Sequence, residues 1–223
     1  MTSRSNGAER TVVGLPRPSK IVLVGVPGAG ADAAAPFRLK STATLASKHS
    51  VVTLPALPPG QGYGCVAHLV LVVNADIHDC DPSRVRESLL GVTVALEVVV
   101  RAEDRPLIGL ISGDREGFFV LAPSAVALSD AGQAVAVLDP ATLRLRVDGA
   151  DARPKLPADV DVVQLMAQLS RTGTLYRGDL FAVPLLDEPI EIRPGSGAAL
   201  EAAPLGSVTL QARPSDSTAG GAA

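Results

Sequence analysis

The amino-acid sequence predicts a β-rich α+β fold, and three observations support that prediction. Apolar segments of strand length far outnumber segments with helical start and stop signals. The two kinds of segment do not alternate as they do in a doubly wound parallel sheet. Hydrophobic residues make up 47% of the 223 residues and aromatic residues only 3%, so Val, Leu and Ala are expected to build the core of a single main domain.

The predicted strands are short apolar runs bounded by Pro, Gly or polar residues. They comprise residues 20–24, 50–54, 67–73, 92–100, 117–121, 142–147, 174–183, 190–192 and 207–211. Residues 67–73 and 92–100 are nearly continuous apolar runs, which indicates strands buried on both faces. Residues 142–147 alternate between apolar and charged side chains, and the Asp148-Gly149 pair that follows predicts a hairpin turn.

Two segments carry helix signals. Asp81 followed by Pro82 begins the first predicted helix, and Gly91 ends it. Its apolar side consists of Val85, Leu89 and Leu90. The second predicted helix runs from about Asp159 to Arg171, with Gly173 as its C-terminal cap.

Composition also predicts the domain organisation and the location of the protein. Residues 1–19 are polar and are expected to form a flexible arm, residues 20–213 the domain, and residues 214–223 a disordered tail. The formal net charge of -3 argues against a nucleic-acid partner, and no apolar run approaches the length of a membrane span. Cys65 and Cys80 are too few for a disulfide scaffold or a structural zinc site, so a cytoplasmic protein is expected.

The glycine-rich stretch after the first predicted strand resembles the front of a phosphate-binding loop. Such a loop needs a Lys and then a Ser or Thr after Gly30, where this chain has Ala31 and Asp32. Asp32 would place a negative charge against a phosphate, and Pro36 limits any following helix to about one turn. We therefore do not expect nucleotide binding here.

A series of short motifs follows in a fixed order and spacing along most of the chain. They are KIVLVG at 20–25, FRLK at 37–40, VVTLP at 51–55, VAHLVLV at 66–72, GVTVALEVVVR at 91–101, SGDREGFFVLAP at 112–123, LRVDG at 145–149, the Ser170–Asp179 stretch and PLGSV at 204–208. This series resembles the fumarylacetoacetate hydrolase superfamily, and residues 112–123 resemble its branch of 2-oxo-acid hydratases, decarboxylases and isomerases. The resemblance implies a mixed β-roll with a few short helices.

The resemblance also implies a site whose usual metal ligands are altered. The family holds a divalent ion with three carboxylates, and their positions fall on Val66, His68 and Glu97. Val66 cannot bind a metal and His68 is a softer ligand, so no cofactor is expected unless His68 and Glu97 form a residual Mg²⁺ or Mn²⁺ site. The family segment that receives the substrate carboxylate corresponds here to the apolar residues 181–184.

The catalytic candidates are Lys40, His68 and Glu97. Lys40 matches a family lysine near the substrate, and Glu97 in an apolar strand needs a partner, for which Arg101 and Lys40 are candidates. Structural interpretations remain open, namely a solvated Lys40, a core His68 and an ion pair at Arg101. The candidates for substrate binding are Arg101, Asp114, Arg115 and Glu116, although the last three would look the same in an exposed turn.

Three functions are consistent with these residues. The first is a metal-independent lyase, isomerase or cyclase that acts on an enolisable 2-oxo or β-dicarbonyl small molecule. The second is a non-catalytic structural or regulatory partner of an active homologue. The third is a residual Mg- or Mn-dependent decarboxylase or hydrolase. A homodimer, or a pair with a homologous chain, is the expected assembly.

Overall fold

The computed structural model describes residues 11–25, 37–46, 49–102, 115–128, 142–156, 160–203 and 205–215. Within these residues the strands are β1 (Val12–Gly14), β2 (Ile21–Val24), β3 (Phe37–Lys40), β4 (Leu45–Ala46), β5 (His49–Leu54), β6 (Gln61–Val73), β7 (Leu89–Ala102), β8 (Phe119–Leu121), β9 (Ser124–Ala127), β10 (Leu143–Val147), β11 (Ala150–Ala152), β12 (Leu180–Pro184), β13 (Ile190–Ile192), β14 (Gly197–Ala202) and β15 (Gly206–Pro214). The helices are α1 (Pro82–Glu87) and α2 (Val162–Ser170), with a 3-10 turn at Thr42–Thr44.

These strands form two mixed sheets. The first has ten strands in the order β1-β9-β7-β6-β12-β2-β3, with β13 on β6, β8 on β7 and β4 on β8. The second has the order β11-β10-β14-β15-β5. The main core packs alternate residues of β6 and β7, such as Leu69 and Leu96, with Leu145 and Leu200 of the second sheet and Met166 of α2. The predicted β-rich α+β fold is thus confirmed.

The first sheet curls strongly, and this curl positions the site. In the sheet order, β3 lies four strands away from β7, which in a flat sheet would separate them by about 19 Å. Side chains of β3 nevertheless contact Glu97 of β7 at hydrogen-bond distance. We call the concave side of this curl the inner face; it carries an apolar cluster that includes Ile21, Val70, Phe119 and Leu180.

The first predicted helix is shorter than the sequence indicated. Asp81 caps its N-terminus as expected, accepting hydrogen bonds from the backbone N–H groups of Ser83 and Arg84. Leu89 and Leu90, predicted on its apolar side, instead belong to β7, and Gly91 does not end the helix. The sequence misled here because Gly can mark either a helix end or a position in a strand where another backbone comes close.

Two further boundaries differ from the prediction. The second helix begins after the capping residue Asp161, and the predicted start at Asp159 lies outside the described residues. Of the predicted strand 174–183, only the part from Leu180 onward is strand, preceded by an isolated bridge at Leu175. A turn at Gly178, which has a φ of 95°, interrupts the run.

The remaining landmarks concern a turn and the ends of the chain. The Asp148-Gly149 turn between β10 and β11 is confirmed, with φ values of 51° and 82° that suit a tight hairpin.

Within the predicted N-terminal arm, β1 pairs with β9, while residues 1–10 and 216–223 lie outside the described residues. Neither helix in the described ranges has the length and apolar character needed to cross a membrane.

Candidate functional site

Glu97 lies at the centre of a buried polar cluster on the inner face, and its side chain is 1% exposed. Lys40 Nζ donates a hydrogen bond to Glu97 Oε1 over 3.1 Å, and Arg38 Nη2 donates to the same oxygen over 2.9 Å. His68 Nε2 lies 2.8 Å from the other oxygen, Oε2. One carboxylate therefore holds three nitrogen-bearing side chains together.

Strand alternation explains why these side chains meet. Arg38 and Lys40 are two residues apart on β3, so both point to the same face of the sheet. On the central ribbon, Glu97 of β7 pairs with Val66 of β6, and His68 lies two residues further along β6 on the same face. The curl then brings β3 over this ribbon.

The surroundings of Glu97 keep it ionised. Burial alone would raise the pKa of Glu97, but the hydrogen bond from His68 and the charges of His68, Arg38 and Lys40 outweigh burial and lower the pKa to about 2. An ionised carboxylate only accepts hydrogen bonds, so His68 Nε2 is the donor in its contact with Glu97.

The other ring nitrogen of His68 has a different environment. His68 is 2% exposed, and its Nδ1 atom is buried without a hydrogen-bond partner in the structure. The ring of Phe119 lies beside it, with 5.7 Å between the ring centroids. Since buried polar atoms are nearly always paired, this nitrogen is a candidate contact for a ligand.

Arg38 belongs to the cluster although the sequence did not single it out. Its side chain is 31% exposed, which makes it the most accessible member of the cluster. Within the described ranges, Glu97 is its hydrogen-bond partner, through Nη2 alone. Residues two positions apart on a strand share a face, but residues 37–40 were not predicted as a strand, so this rule did not link Arg38 to Lys40.

The structure brings together the three catalytic candidates but not the candidates for substrate binding. Arg101 is not the partner of Glu97; it lines a separate cleft of about 580 Å³ with Tyr63 and Glu191. Arg115 and Glu116 are exposed in the turn before β8. Asp114 lies outside the described residues.

The segment that the family resemblance assigns to the substrate carboxylate is buried strand. Residues 181–184 belong to β12, and Pro184 pairs with His68 in the antiparallel register. Phe181 packs into the main core, whereas Ala182 belongs to the apolar cluster of the inner face. These side chains offer no charged group to a substrate.

The described residues do not fit a divalent ion held by carboxylates. Of the three positions that the resemblance assigns to metal ligands, Val66 has no donor atom, and His68 and Glu97 are hydrogen-bonded to each other. The cations of Arg38 and Lys40 contact the one carboxylate and would repel a metal ion. Within the described part of the chain, no group of three His, Cys, Asp or Glu side chains is arranged to hold a metal ion.

The structure is a mixed β-roll, and a buried cluster of ionisable side chains lies on the inner face of its curled sheet. The family model of the fumarylacetoacetate hydrolase C-terminal domain matches residues 26–211. The chain therefore belongs to the fumarylacetoacetate hydrolase family, as the sequence motifs predicted.

Several solved structures share this fold. The 5-carboxymethyl-2-hydroxymuconate delta-isomerase of Mycobacterium smegmatis has a TM-score of 0.69 and 21% identity, over 96% of this chain and 86% of that one. Maleylpyruvate hydrolase of Sphingobium sp. SYK-6 has a TM-score of 0.71 and 22% identity, over 90% and 73%. The 2-hydroxyhepta-2,4-diene-1,7-dioate isomerase of Mycobacterium marinum has a TM-score of 0.69 and 22% identity, over 90% and 76%.

The maleylpyruvate hydrolase was also solved in complex with manganese(II) and pyruvate. A comparison with curated protein sequences found no match.

Proposed function

We propose that this chain is a metal-independent lyase, isomerase or cyclase that acts on an enolisable 2-oxo or β-dicarbonyl substrate. The observation that carries the proposal is the buried cluster in which Glu97 holds His68, Lys40 and Arg38 on the inner face. Isomerases and a hydrolase among the proteins with the same fold support a reaction of this general kind.

Each member of the cluster has a role in such a reaction. Removing a proton beside a carbonyl group leaves an enolate, whose negative charge Lys40 and Arg38 stabilise. His68 is the proton carrier, because an imidazole transfers protons near neutral pH while Glu97, with its pKa near 2, is a weak base. Glu97 fixes the orientation of the His68 ring and stabilises the ring when it is protonated.

Exchange of substrate protons for deuterium tests this mechanism without knowledge of the natural substrate. We expect the protein, with EDTA present, to catalyse exchange at the carbon beside the carbonyl of at least one member of a 2-oxo-acid and β-dicarbonyl panel, followed by proton NMR in D₂O. Lys40→Met and His68→Gln should each slow exchange by at least about 100-fold. Lys155→Met, which changes an exposed lysine, is the matched control; undiminished exchange in Lys40→Met would contradict the mechanism.

The burial of the cluster favours a second function, that of a non-catalytic partner of an active homologue. Lys40, His68 and Glu97 are 4%, 2% and 1% exposed, as in a structural ion cluster. Co-purification with a homologous enzyme, together with no exchange activity, would support this function. A homodimer with its own exchange activity, identified by size-exclusion chromatography with light scattering, would contradict it.

Chelation and titration test the third function, a residual metal-dependent decarboxylase or hydrolase. We expect the melting temperature to stay within about 1 °C when Mg²⁺ or Mn²⁺ is added to EDTA-treated protein, because ligand binding to the folded state would raise it. A saturable rise that disappears in Glu97→Gln would instead establish metal binding at this carboxylate.

A further inference from the structure

A groove of about 590 Å³ lies beside β3, on the side of the first sheet that faces away from Glu97. Arg38 and Lys40 point to the inner face, where they contact Glu97. Strand alternation therefore directs the other two residues of β3, Phe37 and Leu39, to the opposite side. We call this cleft the β3 groove; its apolar lining comes from β2, β3, the end of α2 and the segment after it, namely Val22, Phe37, Leu39, Leu169 and Leu175.

The β3 groove exposes apolar surface to solvent. Leu39, which lines it, is 68% exposed, and Tyr176, which contacts Lys20 at its rim, is 51% exposed. They are two of the four large hydrophobic side chains that are exposed in the described ranges. Exposed apolar side chains that cluster around a groove are typical of an interaction surface.

β3 also has an open edge next to the groove. It ends the path of the first sheet and pairs with β2, and no strand of the described residues pairs with its other edge. Such an edge offers backbone N–H and C=O groups to an added strand. An extended peptide can therefore hydrogen-bond to β3 while every second side chain enters the groove.

The two faces of β3 call for different side chains in such a peptide. On the groove side, Phe37 and Leu39 favour apolar neighbours. On the other side, Arg38 and Lys40 share the single carboxylate of Glu97, which leaves an excess of positive charge there, and Arg38 is 31% exposed. Because opposite charges on neighbouring strands attract, an acidic side chain fits beside Arg38.

The groove itself does not call for a charged side chain. Lys20 at its rim already donates a hydrogen bond to the backbone oxygen of Thr174 and forms an ion pair with Asp179 at 3.3 Å. Its Nζ atom also lies 4.7 Å from the ring centroid of Tyr176. The positive charge of Lys20 is thus compensated within the chain, and the apolar lining determines what the groove accepts.

A second copy of the chain is a poorer occupant of this edge. Antiparallel pairing of β3 with its own copy across a two-fold axis would place the face with Arg38 and Lys40 beside the same face of the copy. Like charges on neighbouring strands are destabilising. A strand with acidic residues on that face avoids this repulsion.

We propose that β3 is a docking edge for an extended segment of a partner protein in which apolar residues alternate with acidic ones. The apolar side chains enter the β3 groove, and an acidic side chain lies beside Arg38. This binding surface lies outside the buried cluster around Glu97 and goes beyond the proposed function, on which it does not depend.

Three synthetic seven-residue peptides test the side-chain preferences. In the first, Val alternates with Glu; in the second, Val alternates with Lys; in the third, Ser alternates with Glu. Fluorescence anisotropy of labelled peptides with the full chain gives the dissociation constants. We expect the Val-Glu peptide to bind at least about fivefold more tightly than the Val-Lys peptide and at least about tenfold more tightly than the Ser-Glu peptide.

Methylation of backbone nitrogen atoms tests whether the peptide adds as a strand. One Val-Glu peptide is methylated at the nitrogen atoms of its Val residues and another at those of its Glu residues. Alternate N–H groups of a strand point to opposite edges, so one of the two peptides should lose at least about tenfold in affinity and the other much less.

Paired variants test the place of binding. Leu39→Asp removes an apolar wall and adds a negative charge, so it should weaken the Val-Glu peptide at least about tenfold. Val51→Asp is the matched control, because Val51 is 53% exposed on β5, at the edge of the second sheet, and it should leave the affinity unchanged. Circular dichroism checks that both variants are folded.

Several results would overturn the proposal. They are no binding of the Val-Glu peptide, equal affinity for the Val-Glu and Val-Lys peptides, equal affinity for the two methylated peptides, or unchanged affinity in folded Leu39→Asp. Size-exclusion chromatography with light scattering adds one more. A dimer that Leu39→Asp, but not Val51→Asp, converts to monomers would show that a second copy occupies this edge.

Discussion

Glu97 shows how a single residue determines the polar chemistry of the inner face. A carboxylate buried without partners is strongly destabilising, and here both of its oxygens are paired with nitrogen atoms. The sequence predicted that Glu97 needs a partner and proposed Lys40 or Arg101. It could not choose between them, because only the curl of the sheet brings β3, and not the far end of β7, to this carboxylate.

The lowered pKa of Glu97 predicts a pH-dependent contribution to stability. The ordinary value of 4.5 falls to about 2 in the folded protein, so folding favours the ionised form. This contribution is fully present above about pH 5 and is lost as the pH falls from about 4.5 to about 2; it amounts to roughly 3 kcal/mol at neutral pH.

Glu97→Gln isolates this contribution. We expect the variant to be less stable than the unmodified protein at pH 7, and the two free energies of unfolding to converge as the pH falls to 2.5, as measured by urea denaturation. Glu188→Gln, at an exposed glutamate, should show no convergence because its difference is small at every pH. A difference for Glu97→Gln that stays constant between pH 7 and pH 2.5 would refute the lowered pKa.

At the scale of elements, the sequence predicted best the strands whose inward residues are apolar. The observed strand at residues 190–192 matches the prediction, and β2 differs by one residue. β3 was not predicted as a strand, because two of its four residues, Arg38 and Lys40, are charged and yet face inward. β14, with the sequence GAALEA, was also missed, since an Ala-rich segment has little intrinsic preference for strand and pairs here through tertiary contacts.

Gly91 of β7 provides a test of how tightly neighbouring strands pack. A Cβ atom added at Gly91 would lie 2.6 Å from the backbone oxygen of Val126 in β9, and a backbone cannot move away easily. We expect Gly91→Ala to lower the free energy of unfolding by about 2 kcal/mol, measured by urea denaturation.

The neighbouring strand offers a matched control. Gly62 of β6 has no atom within 4 Å of the corresponding Cβ position, so Gly62→Ala should change the free energy of unfolding by less than about 0.5 kcal/mol. Equal destabilisation by the two substitutions would show that the contact with Val126 does not cause the loss of stability. The different conformational preferences of Gly and Ala would then account for it.

At the scale of the whole molecule, Asp179 joins segments that are 160 residues apart. Its buried carboxylate accepts hydrogen bonds from the backbone N–H groups of Lys20 and Tyr176 and from Ser19, and it forms an ion pair with Lys20 Nζ at 3.3 Å. These contacts hold β2 against β12 at the point where the two parallel strands begin.

Asp179→Asn tests this connection. The substitution places a donor where several donors converge, so we expect the free energy of unfolding to fall by about 3 kcal/mol. Asp187→Asn, at an exposed position, should be close to neutral. Thermal unfolding followed by circular dichroism compares the two variants, and similar melting temperatures would contradict the role given to Asp179.

The family could be predicted from the sequence, but the contacts of the site could not. The series of motifs between residues 20 and 208 keeps a fixed order and spacing, which is enough to identify the family, and the family model matches residues 26–211. The partners of Glu97 depend on how far a ten-stranded sheet curls, and no local pattern records that curvature. For this reason Lys40 and His68 were found by resemblance, whereas Arg38 was found only in three dimensions.

The curl of the first sheet also has a consequence for the order of folding. The contacts of Arg38 and Lys40 join β3 to β7, and they form only when the curl has brought β3 over the paired strands β6 and β7. Until then, apolar collapse around Glu97 would remove its hydration and leave only His68, on the neighbouring strand, as a partner. We therefore expect closure of the roll and neutralisation of this carboxylate to occur in one late step, slowed by the many contacts between distant parts of the chain.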